Sequence, residues 1–176
     1  MGFQTQVYYQ PSPAVEGDFA SVNPRASVLA GPGSLVAGPN GVTVGRFAWA
    51  TSTGQEDISS GEVDFYNLVS SSGTGPPSGF VHRNQQALIT QWLAEATMVI
   101  PGGLPVTLFS AGDFWARNAG NAATVVNQKV FADLGNGAAI PADAGATVAG
   151  AVETKWTVMS AAAPGELMKM STWPLG

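Results

Sequence analysis

The side chains that most often carry catalytic chemistry are few in this sequence. His82 is the only histidine, and the chain has no cysteine. A metal site with two or three histidine ligands and a thiol nucleophile are therefore both excluded within one chain. A Ser-His-Asp arrangement is not excluded by composition, but the Gly-x-Ser-x-Gly turn that presents the nucleophile in many hydrolases is absent. A catalytic role for His82 is thus less favoured than a structural or interface role.

The twelve Asp and Glu residues do not form a recognisable acid–base pair or cation loop. Glu62 and Asp64 would share one face of a strand, and Glu56 and Asp57 are neighbours in a polar loop, as on an ordinary solvated surface. A glycosidase needs two carboxylates across a cleft, which sequence cannot show. The acidic residues also lack the spacing of an EF-hand loop. The sequence therefore predicts a protein that is not an enzyme and holds no metal or cofactor.

The tryptophans are the remaining candidates for direct ligand contact. An exposed indole can stack on a sugar ring, but a tryptophan more often fills a core or anchors a protein interface. A carbohydrate-binding β-sandwich module therefore stays open as an alternative function. The five tryptophans are Trp49, Trp92, Trp115, Trp156 and Trp173.

The charge of the chain excludes several kinds of partner. Charged residues make up 11% of the sequence, against about 25% in a typical domain. The net charge is −5, and the seven Lys and Arg residues are scattered, so no basic stripe is present for nucleic acid. No apolar run is long enough to span a membrane, and the N-terminus lacks the features of a signal peptide. We expect a protein made in the cytoplasm, with part of its charge-poor surface covered by a partner.

The pattern of short apolar runs and turn residues predicts strands. Residues 106–132 are rich in β-branched and aromatic side chains, and Gly112-Asp113 and Gly120-Asn121 interrupt them. Similar turns recur along residues 26–50. Neither face of the strand predicted over residues 42–50 is cleanly polar, as expected for a strand covered on both sides. Turn signals at this spacing are typical of an all-β sandwich or barrel. Residues 84–95 are the one serious helix candidate, with a strand over residues 87–92 as the alternative.

Two further predictions concern the core. Phe114 and Trp115 are neighbours, so in a strand they point to opposite faces, and we expect Trp115 to be the buried one. The alternation in residues 151–159 places Trp156 inward. Residues 166–173 should then pair with it across a turn at Pro164-Gly165, forming a C-terminal hairpin.

The first thirteen residues have a different pattern from the rest of the chain. Residues 1–13 combine a polar and aromatic alternation with two prolines, Pro11 and Pro13, that end it. They are predicted to be an N-terminal arm or an edge strand of the protein's own sheet. Residues 14–176 are predicted to form a single β domain.

Three stretches resemble a known family. They are residues 30–49 (AGPGSLVAGPNGVTVGRFAW), 79–90 (GFVHRNQQALIT) and 105–115 (PVTLFSAGDFW), and they look like the structural cement, or capsid decoration, proteins of tailed bacteriophages. The likeness spans most of residues 1–135 and weakens in the Ala- and Gly-rich connection that follows. Its most recognisable signature is Gly112-Asp113-Phe114-Trp115. These motifs are fold patterns, so they name no catalytic site.

The resemblance implies a β-barrel or jelly-roll-like sandwich of short antiparallel strands with long loops. It implies a virion protein that is assembled in the host cytoplasm and lies on the outer capsid surface. There it would bind the major capsid protein and cement neighbouring subunits. The expected assembly is a small homo-oligomer, first a dimer and second a trimer, without nucleic acid or membrane. The residues predicted to contact a partner are Val7, Tyr8, Tyr9, Phe80, His82, Arg83 and Trp173.

Overall fold

The computed structural model describes residues 14–31, 33–52, 66–83 and 97–173. These residues form thirteen β-strands and no helix, which confirms the predicted all-β fold. The helix candidate at 84–95 and the arm at 1–13 lie outside the described residues. The strands are β1 (Ala26–Ser27), β2 (Val36–Ala37), β3 (Val42–Thr43), β4 (Phe47–Ser52), β5 (Tyr66–Ser70), β6 (Gly79–Val81), β7 (Val99–Ile100), β8 (Leu108–Ala111), β9 (Asp113–Arg117), β10 (Lys129–Asp133), β11 (Ala139–Ala142), β12 (Ala151–Val158) and β13 (Leu167–Ser171).

Two large sheets carry the fold. One has six strands in the order β1-β8-β6-β4-β5-β2, the other has five in the order β11-β10-β12-β13-β9, and β3 and β7 form a separate pair. Neighbouring strands are antiparallel except β2 and β5, which are parallel. Neither sheet closes on itself within the described residues. The architecture is therefore an open β-sandwich and not a closed barrel.

The main core lies between the two large sheets. The six-stranded sheet contributes Phe47, Trp49 and Phe80, and the five-stranded sheet contributes among others Phe114 and Trp156. The rings meet mostly edge to face or tilted, with centroids 5.2–5.4 Å apart. Aromatic pairs in this arrangement add to the stabilisation from burial.

A second core covers the opposite face of the six-stranded sheet. It contains Ala48, Val81 and Leu108 from that sheet, together with Val42 and Ile100 from the β3–β7 pair. Because side chains alternate along a strand, the six-stranded sheet is buried on both faces. This confirms the expected cover on both sides for β4, the part of the predicted strand that contains Trp49.

The predicted continuous run from residue 42 to residue 50 is divided in two. A turn over residues 44–46 separates β3 from β4, and Gly45 adopts a φ of 76° there. A positive φ of this size is readily available only to glycine. The turn sends β3 to pair with β7 while β4 joins the six-stranded sheet.

The prediction for the Phe114-Trp115 pair was right about opposite faces and wrong about which residue fills the core. Phe114 is completely buried, whereas Trp115 lies on the outer face of the five-stranded sheet and is partly exposed. There the ring of Trp115 is covered by the Lys169 ammonium at 5.0 Å. The inner face is fixed by register, because Ala116 and the cross-strand partner Met170 are also buried on the Phe114 side.

The predicted C-terminal hairpin is confirmed. β12 and β13 pair antiparallel, with Val158 opposite Met170, and the connection turns at Pro164-Gly165. Trp156 is buried in the main core, as its place in the alternation predicts.

Candidate docking surface on the N-terminal strap

Residues 14–29, which we call the strap, run antiparallel along β9 and then β8. The amide of Gly17 donates to the Trp115 carbonyl at 2.8 Å, and the amide of Val28 donates to the Leu108 carbonyl at 2.8 Å. β9 is an edge of the five-stranded sheet, and β8 belongs to the six-stranded sheet. One short extended segment therefore joins both layers of the sandwich at the same side.

Both ion pairs found among the described residues attach the strap to the sandwich. The Arg83 guanidinium donates to both carboxylate oxygens of Asp18, at 2.6 and 3.2 Å. Arg117 donates through Nε to Glu16 at 3.1 Å. The first pair is bidentate and partly buried, which favours a fixed geometry.

His82 supports the same part of the strap. Its Nδ1 lies 2.9 Å from the Gly17 carbonyl, which can only accept, so this nitrogen carries the proton. The imidazole stacks on the Phe19 ring with centroids 3.9 Å apart. Burial lowers the pKa of His82 below its usual value, although the hydrogen bond to Gly17 opposes the shift. The contacts with Gly17 and Phe19 give His82 a structural role in holding the strap.

Asp113 is the centre of a hydrogen-bond cluster that fixes the bend in the strap. Its carboxylate accepts from Ser21 Oγ at 2.6 Å, Asn23 Nδ2 at 2.6 Å and Ser171 Oγ at 2.5 Å. Partial burial alone would raise the pKa of Asp113, but these three donors outweigh it and hold the pKa below its usual value. Since the side chains on both sides of Val22 are drawn to Asp113, Val22 itself is fully exposed.

A cavity of about 380 Å³ opens beside this cluster. Met159 and Trp173 supply apolar wall, and Lys169 also lines the cavity. Trp173 is 44% exposed, and its Nε1 donates to the Pro24 carbonyl at 3.1 Å. The indole is thus fixed in orientation while part of its surface faces solvent.

The exposed apolar side chains of the strap extend beyond the cavity. Leu29 is 93% exposed and Val22 is fully exposed. Isolated exposed apolar residues are ordinary, but an exposed Val22 between two residues that line the cavity, together with the half-exposed Trp173, indicates an interaction surface. We call Val22, Leu29, Trp173 and the cavity the strap surface.

Of the seven residues predicted to contact a partner, the structure describes four, and these lie in different environments. Phe80 is 0% exposed and packs between Phe47 and Phe114, so its prediction was wrong: the side chain is needed by the core. His82 and Arg83 bind the strap from inside the chain. Trp173 lies on the strap surface, where partner contact stays a prediction. Val7, Tyr8 and Tyr9 lie outside the described residues.

Sequence reasoning missed the residues that shape this surface. The sequence indicated Asp113 only as part of a turn and of the family signature, and it did not predict that the strap packs against this residue. The signal is weak, because Ser21 and Asn23 lie about ninety positions away from Asp113 in the sequence. Gly112 does mark the place: it has a φ of 140°, and a Cβ there would lie 3.2 Å from Arg25 Cβ. This close approach of strap and strand favours glycine.

The described ranges also bear on two other kinds of site, a metal centre and a membrane-spanning helix. No group of three or more His, Cys, Asp or Glu side chains there lies close enough together to hold a metal ion. Within the same ranges, no helix has the length and apolar character needed to cross a membrane.

Comparisons with known proteins place the chain in a family. The family model described as XM1 gp53 minor capsid protein matches residues 3–172. A chain of the solved structure "The capsid of Myoviridae Phage XM1" has the same fold, with a TM-score of 0.63 and 17% sequence identity over 98% of both chains. No curated protein sequence matches this chain. Because the family model covers almost the whole sequence, the chain belongs to the XM1 gp53 minor capsid protein family, a family of structural proteins of the phage virion.

Proposed function

We propose that this protein binds the outside of an assembled phage capsid and cements neighbouring major capsid subunits. The observation that carries the proposal is the match of residues 3–172 to a minor capsid protein family. The full-length fold similarity to a chain of a phage capsid structure supports it. No catalytic step is part of the proposed role.

The strap surface gives this role a physical basis. Its apolar side chains are exposed in the isolated chain, and the Asp113 cluster already orders the backbone beneath them. A surface that is rigid before binding loses little conformational entropy when a partner covers it. A protein that binds only the assembled shell stabilises that shell by mass action. Repeated contacts on a lattice make modest individual affinities long-lived.

The oligomeric state and the N-terminal residues belong to the same proposal. We expect a dimer first and a trimer second, with residues 1–13 acting as an arm or an edge strand. Sedimentation equilibrium of the full chain and of a chain lacking residues 1–13 measures both. A monomer at all concentrations would contradict the oligomer, and an unchanged mass and capsid affinity after truncation would contradict an arm that reaches a neighbour.

The decisive experiment uses capsids assembled without this protein. Purified full-length protein is added at increasing concentration, and the capsids are recovered by sedimentation and heated. We expect saturable binding and a higher capsid disruption temperature. Binding to unassembled major capsid protein is the matched control and should be much weaker. If the protein neither binds these capsids nor raises their disruption temperature, the cementing role is wrong.

One observation favours a second candidate, a carbohydrate-binding module. Trp173 offers a partly exposed indole beside a cavity with polar groups. However, the Asp113 carboxylate already accepts three hydrogen bonds, and Trp173 Nε1 is bonded to Pro24. Few free partners are left for sugar hydroxyl groups. A glycan array separates the two roles: sugar binding lost in Trp173→Ala would support the module.

A further inference from the structure

We propose that Asn40 is a site of spontaneous deamidation, where loss of the side-chain amide introduces a carboxylate into the turn between β2 and β3. The sequence contains two Asn-Gly pairs, Asn40-Gly41 and Asn136-Gly137. Both lie in turns, but hydrogen bonds restrain only the second asparagine. The inference concerns the chemistry of the chain itself and is independent of the proposed function.

The reaction needs only the asparagine, the backbone nitrogen that follows it, and water. Hydroxide removes the amide proton of Gly41, and the Gly41 nitrogen attacks Asn40 Cγ. The new N–C bond closes a succinimide ring, the Cγ–Nδ2 bond breaks, and Nδ2 leaves as ammonia with a proton from water. Water then opens the ring at either carbonyl, which gives aspartate or isoaspartate. A following glycine favours ring closure, because it has no Cβ to crowd the attack.

The two Asn-Gly pairs lie in matched backbone surroundings. Each asparagine is exposed and each glycine is buried, with a φ of 72° at Gly41 and 71° at Gly137. The Gly41 amide donates to the Gly38 carbonyl at 2.9 Å, and the Gly137 amide donates to the Asp133 carbonyl at 2.8 Å. The attacking nitrogen is therefore restrained in a comparable way at both sites, so a difference in rate must come from the asparagine.

Asn136 is held at three points. Its side-chain Oδ1 accepts from the Ala138 amide at 2.8 Å. Its amide donates to Asp133 Oδ1 at 3.1 Å, and its carbonyl accepts from Arg46 Nη1 at 3.3 Å. Ring closure turns the carboxamide toward the Gly137 nitrogen and twists the backbone of residue 136. These hydrogen bonds must break before that motion, which slows the reaction at Asn136.

Asn40 lacks such restraints. Its side chain, amide and carbonyl make no hydrogen bond within the part of the chain that the structure describes. The bond from Gly41 to Gly38 closes a turn in which Pro39 and Asn40 are the exposed central residues. The Asn40 carboxamide can therefore rotate toward the Gly41 nitrogen without losing a bond of its own.

The isoaspartyl product should disturb the packing next to the turn. In isoaspartate the main chain passes through Cβ and Cγ, so the backbone between Gly38 and Gly41 becomes longer. Both glycines are buried, and a Cβ on Gly41 would lie 2.8 Å from the Ile100 carbonyl oxygen, so the turn has little room. Val42 follows directly and pairs with Ile100. We expect this product to weaken the β3–β7 pairing, whereas aspartate adds only a charge.

The first test incubates the full-length protein at alkaline pH and measures the deamidated fraction of each site by mass spectrometry of its peptides. We expect Asn40 to react at least about fivefold faster than Asn136, the factor that corresponds to a hydrogen bond of about 1 kcal/mol. Asn40→Gln is the matched control, because glutamine must close a larger ring, and position 40 should then stay unmodified. In denaturant, where the turns are lost, both asparagines should react at similar rates.

The second test releases the restraint on Asn136. Asp133→Ala removes the carboxylate that accepts from the Asn136 amide and keeps the carbonyl that accepts from Gly137. We expect faster deamidation at Asn136 and an unchanged rate at Asn40. Circular dichroism verifies that the variant is folded.

The third test reports the consequence for β3. The Val44 amide donates to the Met98 carbonyl at 2.8 Å, beside the β3–β7 pair. Its hydrogen exchange should accelerate in incubated wild type that carries isoaspartate and should stay unchanged in Asn40→Asp. Unchanged exchange in the isoaspartyl protein would overturn the effect on β3 and β7.

Other outcomes overturn the site itself. They are equal rates at the two asparagines in the folded protein, no reaction at Asn40, and a rate difference that persists in denaturant. The last result would assign the difference to the neighbouring sequence and not to the fold. Capsid binding is measured separately, so a failure of the cementing role leaves this inference standing.

Discussion

The sandwich core and the strap are held in opposite ways. The core is closed by aromatic and aliphatic packing, with Phe47, Phe80, Phe114 and Trp156 buried between two sheets. The strap is held by ion pairs, the Asp113 cluster and the hydrogen bond from His82, and Phe19 and Val28 pack against the two cores. Val22 and Leu29 are exposed. The core thus supplies stability that depends little on pH or salt. The attachment of the strap is therefore mainly polar, and it leaves the apolar side chains of Val22 and Leu29 exposed.

Damage to the core should have the largest effect. Phe80→Ala removes a fully buried ring that packs against Phe47 and Phe114. We expect a loss of about 3–5 kcal/mol in the free energy of unfolding, measured by urea denaturation. Val125→Ala, at an exposed valine, is the control and should change stability by about 0.5 kcal/mol or less. Similar losses for the two variants would contradict the position of the core.

Removal of the Asp113 acceptor should have a smaller and more local effect. Asp113→Ala leaves the donors of Ser21, Asn23 and Ser171 without their shared partner, which costs about 1–3 kcal/mol. We expect faster hydrogen exchange at the strap amides, such as Ala20, whose amide donates to the residue 113 carbonyl. Hydrogen exchange at the amides of β12 should increase much less than at the strap amides. Uniform acceleration across both regions would show that the strap and core unfold as one unit.

The ion pair between Asp18 and Arg83 should contribute less to the free energy of unfolding than the Asp113 cluster does. Both side chains are partly exposed, at 30% and 24%, so solvent screens their attraction. Arg83→Gln should cost about 1 kcal/mol or less, and the cost should shrink in high salt. A double-mutant cycle with Asp18→Asn isolates the coupling. A coupling that is independent of salt would contradict an electrostatic attachment.

The smallest expected effect is a pH dependence from His82. Its pKa is lowered in the folded protein from the usual 6.5, so near neutral pH the unfolded chain binds more protons than the folded chain. The stabilisation is therefore complete above the unfolded pKa and is lost as the pH falls through the folded value. We expect the melting temperature to fall with pH in this window, and His82→Gln to lack the step. An identical pH profile in the variant would assign the step to another group.

A second pH effect lies at lower pH and belongs to Asp113. Its pKa is also lowered on folding, so it stabilises the protein above the unfolded pKa and loses that effect as the pH falls through the folded value. The strap should therefore loosen in acid before the apolar core does. The exchange rate of the Ala20 amide, measured as a function of pH, reports this loosening of the strap. Asp113→Ala is the reference.

Sequence patterns were sufficient where one local rule determines the outcome. Alternation placed Trp156 inward, and Pro164-Gly165 marked the turn of the C-terminal hairpin. Both follow from the two-residue period of a strand and from turn chemistry. The same reasoning could not find the Asp113 cluster, since its members come from three distant parts of the chain.

Phe114 and Trp115 show what strand alternation leaves undetermined. Alternation states that they face opposite sides, but it does not state which side is inward. Hydrophobic size favoured Trp115, and the fold buries Phe114. The register with β13 decides this, because it aligns Phe114 with Met170 on the side that faces the second sheet. Similarly, Phe80 is apolar in either interpretation, and only the facing sheet makes it a core residue.

The sequence by itself determined an all-β protein without cysteine or a recognisable catalytic constellation, and its motifs indicated the capsid-associated family. Composition, alternation and turn residues act over a few positions, so they can be read directly along the chain. The tertiary structure alone decided the open sandwich, the burial of Phe114 and the strap that joins both sheets. It also drew Ser21 and Asn23 to Asp113 and left Val22 exposed. Such contacts depend on which distant strands become neighbours, and no local pattern specifies that.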